Sequence, residues 1–368
     1  MTFEIEKRDL VALLSKTLNI VEKKTTMPIL LNVLLEAHEN SVKVSATDLE
    51  VSLTDSVKAL VKTPGNIAFN AKNVFEIAKE LPEGLIHLEK KENNWLEIKQ
   101  GKFRSKIVGV NPEEFPVFPA AQTDNSISLT SVVLKEMIDK TIYSVSQDET
   151  RYHLNGVYFE IQKPNKLVMV AIDGHRLCMV TREHSDLKDP FPHGVIIPKK
   201  GLYEIKKLLD DSQDNIQLLI EGSQIILKKN ETNLMIRLIE GKYPNYDQFI
   251  PKNLTKKVLV NRNVFVSSLK RVSLLVNQKS KAIIFNISKG KIEIQSHNPD
   301  LGDAKEEIEA IYDGEDIKIA YNSKFITDIF NAITDETVEI NLKDNLSPGI
   351  IQPQKDKNYI CVVMPMRI

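Results

Sequence analysis

The sequence predicts an α+β protein made of three tandem copies of one unit, and each copy contains two half-repeats in which a strand leads into a helix and further strands. In each half-repeat, alternating apolar residues indicate a short strand, and the next apolar residues are three and four positions apart, as in an amphipathic helix. The first half-repeat occurs at residues 3–14, 127–138 and 258–269. The second occurs at residues 69–81, 197–209 and 320–333. The chain should therefore contain six helices.

Segments rich in proline and polar residues mark the ends of the copies, at residues 115–125 and 249–257. The chain has 368 residues, which exceeds the size at which a single hydrophobic core stops growing. We therefore predict three domains, at residues 1–122, 125–251 and 256–368.

The composition is that of an ordinary globular protein, with 42% hydrophobic and 27% charged residues. The N-terminus has no apolar signal segment, and no apolar run approaches the roughly 20 residues that span a bilayer, so we expect a cytoplasmic protein. The two cysteines, Cys178 and Cys361, lack the spacing of zinc ligands and are predicted to be buried free thiols. We predict no metal ion and no cofactor.

Each copy also contains two strands joined by a tight turn, with Asp48, Asp173 and Asn298 in equivalent positions. In the second copy this turn reads AIDGHRL, and its His175 and Arg176 have no counterpart in the other copies. A catalytic cluster would require a nucleophile, a partner base or a set of metal ligands, and none is evident. We therefore favour a turn with a surface role, and a hydrolase that uses Asp173 and His175 is the alternative.

Positive charge is concentrated around three of the six predicted helices. Residues 7–24 and 198–209 carry a net charge of +3 each and residues 262–281 carry +5, whereas the other three helices are balanced. The remainder of the chain carries −12, because the total is −1. Helices gathered on one face would form a surface for a polyphosphate, and the low aromatic content favours a duplex backbone over stacked single-stranded bases. Alternatively, these charges form only a solvated outer face.

Six short segments resemble the bacterial DNA polymerase III β subunit family, the sliding clamps. They are MPIL at 27–30, ATDLE at 46–50, LNGV at 154–157, DGHRL at 173–177, KYPNY at 242–246 and VVMPMRI at 362–368. The resemblance extends over the whole chain. It implies three clamp domains per chain and a head-to-tail homodimeric ring, with the helices inside and the sheets outside. It also implies a non-catalytic processivity factor that encircles duplex DNA and tethers the replicative polymerase.

The resemblance further implies that basic residues face the threaded duplex. Lys24 and Arg151 match the family's duplex-contacting loops most directly. The residues predicted to contact DNA are Lys24, Lys72, Arg151, Lys199, Lys200, Lys279 and Lys281. Lysines that are merely solvated would look the same in a sequence.

Closure of such a ring would bring the first copy of one chain against the third copy of the other. The segment KFRSK carries three positive charges in alternation, whereas residues 300–309 carry a net charge of −4. Leu274 and Leu275 match the family's interface position and would supply an apolar centre. The residues predicted at this interface are Lys102, Arg104, Lys106, Leu274, Leu275, Asp303 and Glu306. Alternatively, both segments are exposed strand edges that charge protects from aggregation.

In the family, the turn of the second domain and the chain's C-terminus line a hydrophobic pocket between domains II and III. This pocket takes a short extended peptide with a glutamine and a Leu-Phe-like end from the polymerase III α subunit, the clamp loader, other polymerases and repair proteins. The apolar, methionine-containing end of this chain suits a groove that accepts many sequences. The matching positions are Arg151, Leu154, Ile172, Gly174, His175, Arg176, Leu177, Pro244, Asn322, Phe325, Leu346, Val362, Val363, Met364, Pro365, Met366 and Arg367.

This sequence departs from the family's pattern at five positions. Ile172 stands where the family usually has threonine, and Gln248 and Phe249 replace an arginine and a small aliphatic residue. Pro348 replaces a small hydroxyl residue, and Ile368 replaces leucine. The peptide preference therefore cannot be carried over from the family. A monomeric scaffold that binds peptides without encircling DNA is a further alternative.

Overall fold

The computed structural model describes residues 1–21, 27–116, 126–162, 164–184, 194–210 and 213–367. It is an α+β structure, as the sequence predicts, with six α-helices and 25 strands in these ranges. No helix in these ranges combines the length and the apolar character needed to cross a membrane.

The helices begin where the sequence predicts, because each follows a strand directly or after one residue. They are α1 (Lys7–Ser15), α2 (Ala71–Glu80), α3 (Ser131–Asp139), α4 (Lys199–Leu208), α5 (Arg262–Val272) and α6 (Ser323–Ala332). The side chains of Asn70, Asn261 and Asn322 accept backbone N–H groups in the first turns of α2, α5 and α6. The predicted change from strand to helix is confirmed in all six half-repeats.

The strands are short, and every pair between them is antiparallel. The first ten are β1 (Thr2–Glu6), β2 (Val33–His38), β3 (Ser41–Thr47), β4 (Val51–Lys58), β5 (Leu60–Thr63), β6 (Gly65–Phe69), β7 (Leu85–Lys90), β8 (Trp95–Gln100), β9 (Phe103–Val110) and β10 (Ile127–Thr130). The next seven are β11 (Gly156–Gln162), β12 (Lys166–Ile172), β13 (Arg176–Glu183), β14 (Val195–Pro198), β15 (Asn215–Glu221), β16 (Gln224–Lys229) and β17 (Thr232–Arg237). The last eight are β18 (Lys256–Asn261), β19 (Ala282–Ser288), β20 (Lys291–Asn298), β21 (Gly302–Glu309), β22 (Ile317–Asn322), β23 (Thr337–Leu342), β24 (Gly349–Pro353) and β25 (Tyr359–Val363).

One compact unit comprises Met1–Thr130 and Gln213–Leu238. Its thirteen strands form one sheet in the order β10-β15-β16-β17-β4-β3-β2-β6-β9-β8-β7-β1-β5. The two parts of the chain join where β17 pairs with β4. Helices α1 and α2 pack against each other and bury Leu10, Leu13 and Val74, as their apolar spacing requires.

The other compact unit comprises Ser131–Ser212 and Ile239–Ile368. It contains an eight-stranded sheet, β14-β11-β12-β13-β25-β24-β23-β18, and a four-stranded sheet, β21-β20-β19-β22. In the larger sheet β13 pairs with β25, so the middle of the chain and its last strand share one ladder. Phe265 of α5 stacks on Phe330 of α6 with 4.2 Å between the ring centroids, and both rings are fully buried.

An ion-pair network in this second unit joins the end of α3 to β13 and to the segment before β25. Lys140 Nζ lies 2.6 Å from Glu136 Oε1 and 2.8 Å from Asp356 Oδ2. Arg182 Nη2 contacts the same two carboxylates at 2.6 and 2.7 Å. Burial raises the pKa values of Glu136 and Asp356, but hydrogen bonds from the two cations lower them by more, so both pKa values lie below their ordinary range. These partners offset the cost of removing the charges from water.

The three equivalent turns form as the sequence predicts. Asp48, Asp173 and Asn298 each accept a backbone N–H two or three residues ahead, at 2.7, 3.0 and 3.0 Å. The predicted domain limits, 1–122, 125–251 and 256–368, stay predictions, because the compact units follow the continuity of the sheets and not the repeats.

Candidate functional site

The turn between β12 and β13 positions the first of the predicted peptide-site residues. Asp173 Oδ1 accepts the backbone N–H groups of His175 and Arg176 at 2.9 and 3.0 Å, which closes the turn. Gly174 has φ +91°, a backbone conformation that L side chains rarely adopt, so the turn favours glycine. This geometry leaves His175 exposed and directs Arg176 inward, where it is 6% exposed.

The buried guanidinium of Arg176 has three hydrogen-bond partners. Nε donates to Asp173 Oδ2 at 3.0 Å, Nη1 donates to Asp328 Oδ2 at 2.9 Å, and Nη2 donates to the backbone oxygen of Tyr143 at 2.6 Å. The guanidinium carbon also lies 4.4 Å from the ring centroid of Phe325. Arg176 is therefore a fixed cation that joins the turn to α6. This role leaves it unsuited to acid–base chemistry, since arginine stays protonated in proteins.

The C-terminal strand brings the last apolar residues of the chain to the same turn. In the ladder between β13 and β25, Leu177 lies opposite Val362. The pairing continues beyond β25, because the backbone N–H of Met364 donates to the backbone oxygen of His175 at 2.9 Å. The side chain of Met364 remains 46% exposed. The ladder thus holds an apolar side chain at the surface beside the turn.

A cluster of three tyrosines supports the segment that contains Pro244. The rings of Tyr158 and Tyr243 stack, with 4.8 Å between centroids and 10° between planes, and Tyr246 lies 6.2 Å from Tyr158. The hydroxyl of Tyr246 donates to Glu160 Oε1 at 2.5 Å. Burial, together with the charge of Glu160, raises the pKa of Tyr158 to about 12. Pro244 is fixed because it lies between two anchored aromatic residues.

These elements enclose a cavity of about 490 Å³, which is within the size range of sites that bind ligands. The cavity is mainly apolar, since Leu154, Ile172, Leu177 and Val362 belong to the hydrophobic cluster beneath it. Its lining consists of Arg151, Leu154, Ile172, Gly174, His175, Arg176, Leu177, Pro244, Gln248, Phe249, Pro251, Pro348, Val362 and Met364. Ten predicted peptide-site residues are among them, together with the sequence departures Gln248, Phe249 and Pro348.

Seven predicted peptide-site residues lie outside the lining of this cavity: Asn322, Phe325, Leu346, Val363, Pro365, Met366 and Arg367. Asn322 caps α6, and Phe325 stacks on His175 with 6.0 Å between the ring centroids. Val363 is fully buried in β25, whereas Leu346 is 68% exposed. The backbone N–H of Met366 donates to the oxygen of Ala320 at 2.8 Å. Their part in peptide binding stays a prediction, and the departure at Ile368 lies outside the described residues.

A second cavity of about 490 Å³ shares Arg151, His175 and Arg176 with the first. Its lining is more polar and includes Lys199 and Lys324. Burial lowers the pKa of Lys199, and the positive charges of Lys324 and Arg176 lower it further. Arg151, His175 and Arg176 therefore border an apolar cavity and a polar one.

Two residues that contribute to this region were not predicted from the sequence. Pro251 lines the apolar cavity, and Asp328 accepts a hydrogen bond from Arg176. Pro251 belongs to a segment interpreted as a domain boundary, and its closeness to the KYPNY motif was the signal that could have found it. Asp328 is one of many charged helix residues, and only the packing of α6 distinguishes it.

The predicted DNA contacts lie on several elements. Lys24 is outside the described residues. Arg151 pairs with Asp148 at 2.8 Å, and Lys199 at the start of α4 is half-buried. The remaining predicted contacts are exposed, namely Lys72, Lys200, Lys279 and Lys281. Their contact with DNA stays a prediction.

The predicted interface residues lie on or beside two strands at sheet edges. Strand β9 pairs with β8 along its length but with β6 only at Gly109 and Val110, and β21 ends its four-stranded sheet. The residues concerned are Lys102, Arg104 and Lys106 beside or on β9, Leu274 and Leu275 after α5, and Asp303 and Glu306 on β21. Leu274 is 76% exposed. Both edges are therefore open to pairing within the described part of the chain.

The two cysteines are buried free thiols, as predicted. In the described ranges, no three side chains of His, Cys, Asp or Glu are grouped so as to hold a metal ion. The main features of the site are thus the apolar cavity, the buried Arg176 and the exposed Met364.

Comparison with known proteins accounts for the whole chain. Residues 1–119, 128–245 and 247–367 match the N-terminal, central and C-terminal domains of the DNA polymerase III beta subunit, which confirms three clamp domains in tandem. A beta sliding clamp of Pseudomonas putida is 30% identical to this chain over 370 residues. The alignment covers 100% of this chain and 100% of that protein.

Two crystal structures of DNA polymerase sliding clamps also match. One from Pseudomonas aeruginosa has a TM-score of 0.94 and 30% identity, with 100% of both chains covered. One from Bacillus subtilis has a TM-score of 0.96 and 27% identity, with 100% of this chain and 99% of that chain covered. The chain therefore belongs to the DNA polymerase III beta subunit family, the beta sliding clamps.

Proposed function

We propose that this chain is a DNA sliding clamp, a non-catalytic processivity factor that works as a homodimeric ring around duplex DNA. The observation that carries the proposal is the match of all three clamp domains along the full chain. Both carboxylate oxygens of Asp173 accept hydrogen bonds within the turn, which supports the proposal because it opposes the alternative of a hydrolase that uses Asp173 and His175.

The ring would act by topology and not by chemistry. A closed ring cannot leave a duplex without opening, so a polymerase bound to it stays at the primer end. Lysines attract phosphates without reading the bases, and such contacts let a protein slide along DNA. Exposed Lys72, Lys200, Lys279 and Lys281 are suited to this role.

Ring closure would pair β9 of one chain with β21 of the other. A head-to-tail ring of two chains would contain two such interfaces. Both edges are open in the described residues, and their charges are opposite. Arg104 and Lys106 would meet the carboxylates of Asp303 and Glu306, which selects this pairing over like-charged edges. The exposed Leu274 would supply an apolar contact.

The apolar cavity would bind the short peptide through which the replicative polymerase, the clamp loader and repair proteins attach. A Leu-Phe end can bury its side chains against Leu154, Leu177 and Val362, which form the apolar wall. Met364 adds a flexible thioether at the rim, which can adapt to different peptides. Phe249 also lines this cavity and is 50% exposed, so it would restrict the range of peptide sequences that the cavity accepts.

We expect Met364→Ala to weaken binding of a Gln-x-x-Leu-Phe peptide about tenfold, or about 1.4 kcal/mol. The reason is that the side chain, half-exposed in the free protein, would be covered by the peptide. Fluorescence anisotropy of a labelled peptide measures the affinity, with a scrambled peptide as reference. The matched control is Ile311→Ala, which removes a side chain that is 73% exposed away from the cavity lining and should leave the affinity unchanged. Equal affinities for the two variants would refute the site.

A charge exchange tests the interface. Arg104→Glu with Lys106→Glu makes β9 acidic, and Asp303→Lys with Glu306→Lys makes β21 basic. Each double variant alone has two like-charged interfaces and should sediment as the 41.8 kDa chain. The equimolar mixture restores opposite charges at both interfaces and should sediment at twice that mass. Dimers of either variant alone, or a mixture that stays monomeric, would contradict the pairing.

Encirclement itself is tested by the shape of the DNA. After loading onto nicked circular duplex, the clamp should remain bound through gel filtration in salt high enough to screen phosphate contacts. Cutting the circle should release it, because the ring can slide off a free end. Equal loss from circular and linear DNA would mean that the protein binds only by electrostatic attraction.

A further inference from the structure

Cys178 and Cys361 face each other across the ladder between β13 and β25. They are direct partners in the antiparallel register, and their sulfur atoms lie 3.1 Å apart. Both side chains are fully buried, and they are the two cysteines of the chain. The fold thus brings together two thiols that are 183 residues apart in the sequence.

The backbone at this pair is compatible with a covalent bond. Directly opposed residues of antiparallel strands have Cα atoms about 4.5 or 5.5 Å apart, depending on the type of pair. Both distances fall within the range of about 4.4–6.8 Å that disulfides span. Bond formation therefore requires the sulfur atoms to approach each other but does not require the strands to move.

The surroundings of the two thiols are polar, which is unusual for a buried part of a sheet. The hydroxyl of Tyr143 lies 2.9 Å from Sγ of Cys178 and 3.3 Å from Sγ of Cys361. Ser144 Oγ donates to Sγ of Cys178 at 3.0 Å, and Tyr359 shares a hydrogen bond of 2.6 Å with Tyr143. These hydroxyl groups can donate hydrogen bonds that stabilise a thiolate.

The two sulfur atoms are not equivalent. Burial raises the pKa of the Cys178 thiol, but its hydrogen-bond contacts with Cys361, Ser144 and Tyr143 lower it by more, so its pKa lies below the ordinary value. Burial raises the pKa of the Cys361 thiol well above its ordinary value. Ser144 Oγ donates to Sγ of Cys178, and the Tyr143 hydroxyl lies closer to Cys178 than to Cys361, so these contacts favour Cys178 as the attacking thiolate.

We propose that Cys178 and Cys361 form an oxidation site, which hydrogen peroxide converts into an intrachain disulfide between β13 and β25. The Cys178 thiol loses its proton, its thiolate attacks one peroxide oxygen, the O–O bond breaks, and the leaving hydroxide takes up the proton that Cys178 released and becomes water. Sγ of Cys361 then attacks the sulfenic acid sulfur, the S–O bond breaks, and the departing hydroxide takes the Cys361 proton as a second water. The sulfur pair loses two electrons, and the peroxide gains them.

Tyr143 provides the connection to solvent. Its hydroxyl contacts both sulfur atoms, and the same residue lines the polar cavity. A small, uncharged oxidant in that cavity needs a movement of this ring to reach the thiols. The bond would tie the last strand, which leads into Val362 and Met364 of the apolar cavity, to the middle of the chain.

The test is peroxide treatment of the purified full-length protein, followed by alkylation of free thiols in denaturant and peptide mapping. We expect both cysteines to become protected from alkylation. The peptides that contain them should appear joined, at two hydrogen masses below their sum, and dithiothreitol should separate them. Persistence of two alkylated cysteines at full peroxide exposure would overturn the proposal, and so would a bond between chains.

Cys361→Ser is the matched control, because it keeps a hydrogen-bonding group of similar size beside Cys178. Peroxide should then leave sulfenic or sulfinic acid on Cys178, without a joined peptide. Because the main test uses the unmutated chain, its outcome does not depend on whether this variant folds. Sulfinic acid on Cys178 of the natural chain, in place of the bond, would show that Cys361 does not reach it and would also overturn the proposal.

Discussion

The pairing of β13 with β25 is the contact on which the candidate site depends. It places Val362 opposite Leu177 and extends to a hydrogen bond of 2.9 Å between Met364 and His175. Without this ladder, the last apolar residues would be a free chain end, and the cavity would lose one wall. The same ladder sets Cys178 against Cys361. Peptide binding and thiol oxidation would therefore both act on one strand pair.

Arg176 supports this arrangement from within the second unit. Its guanidinium holds the β12–β13 turn to Asp328 of α6 and to the backbone of Tyr143. Hydrogen-bond partners offset the free energy that is needed to bury the cation, and loss of one partner would leave its charge uncompensated. The turn and the helix are therefore held together. The site is thus an apolar recess whose buried arginine is held by three hydrogen-bond partners. Such a site is suited to binding and not to bond chemistry.

Local features of the fold were predictable from the sequence, because periodicity and turn residues act over a few positions. The six strand-to-helix changes and the turns at Asp48, Asp173 and Asn298 are confirmed. Distant pairings were not predictable, since no local pattern indicates that β17 joins β4 or that β25 joins β13. Most of the cavity lining was named through family motifs. Asp328 was missed because its role arises only from packing, and Pro251 was missed because its segment was interpreted as a domain boundary.

The most direct test of this account is hydrogen exchange of the full chain, with and without the Gln-x-x-Leu-Phe peptide. We expect the backbone amides of β13 and β25 to exchange together as one cooperative unit, and the peptide to slow the exchange in both strands. An independently fraying β25, with exchange that the peptide does not change, would contradict the claim that this strand pair builds the binding site.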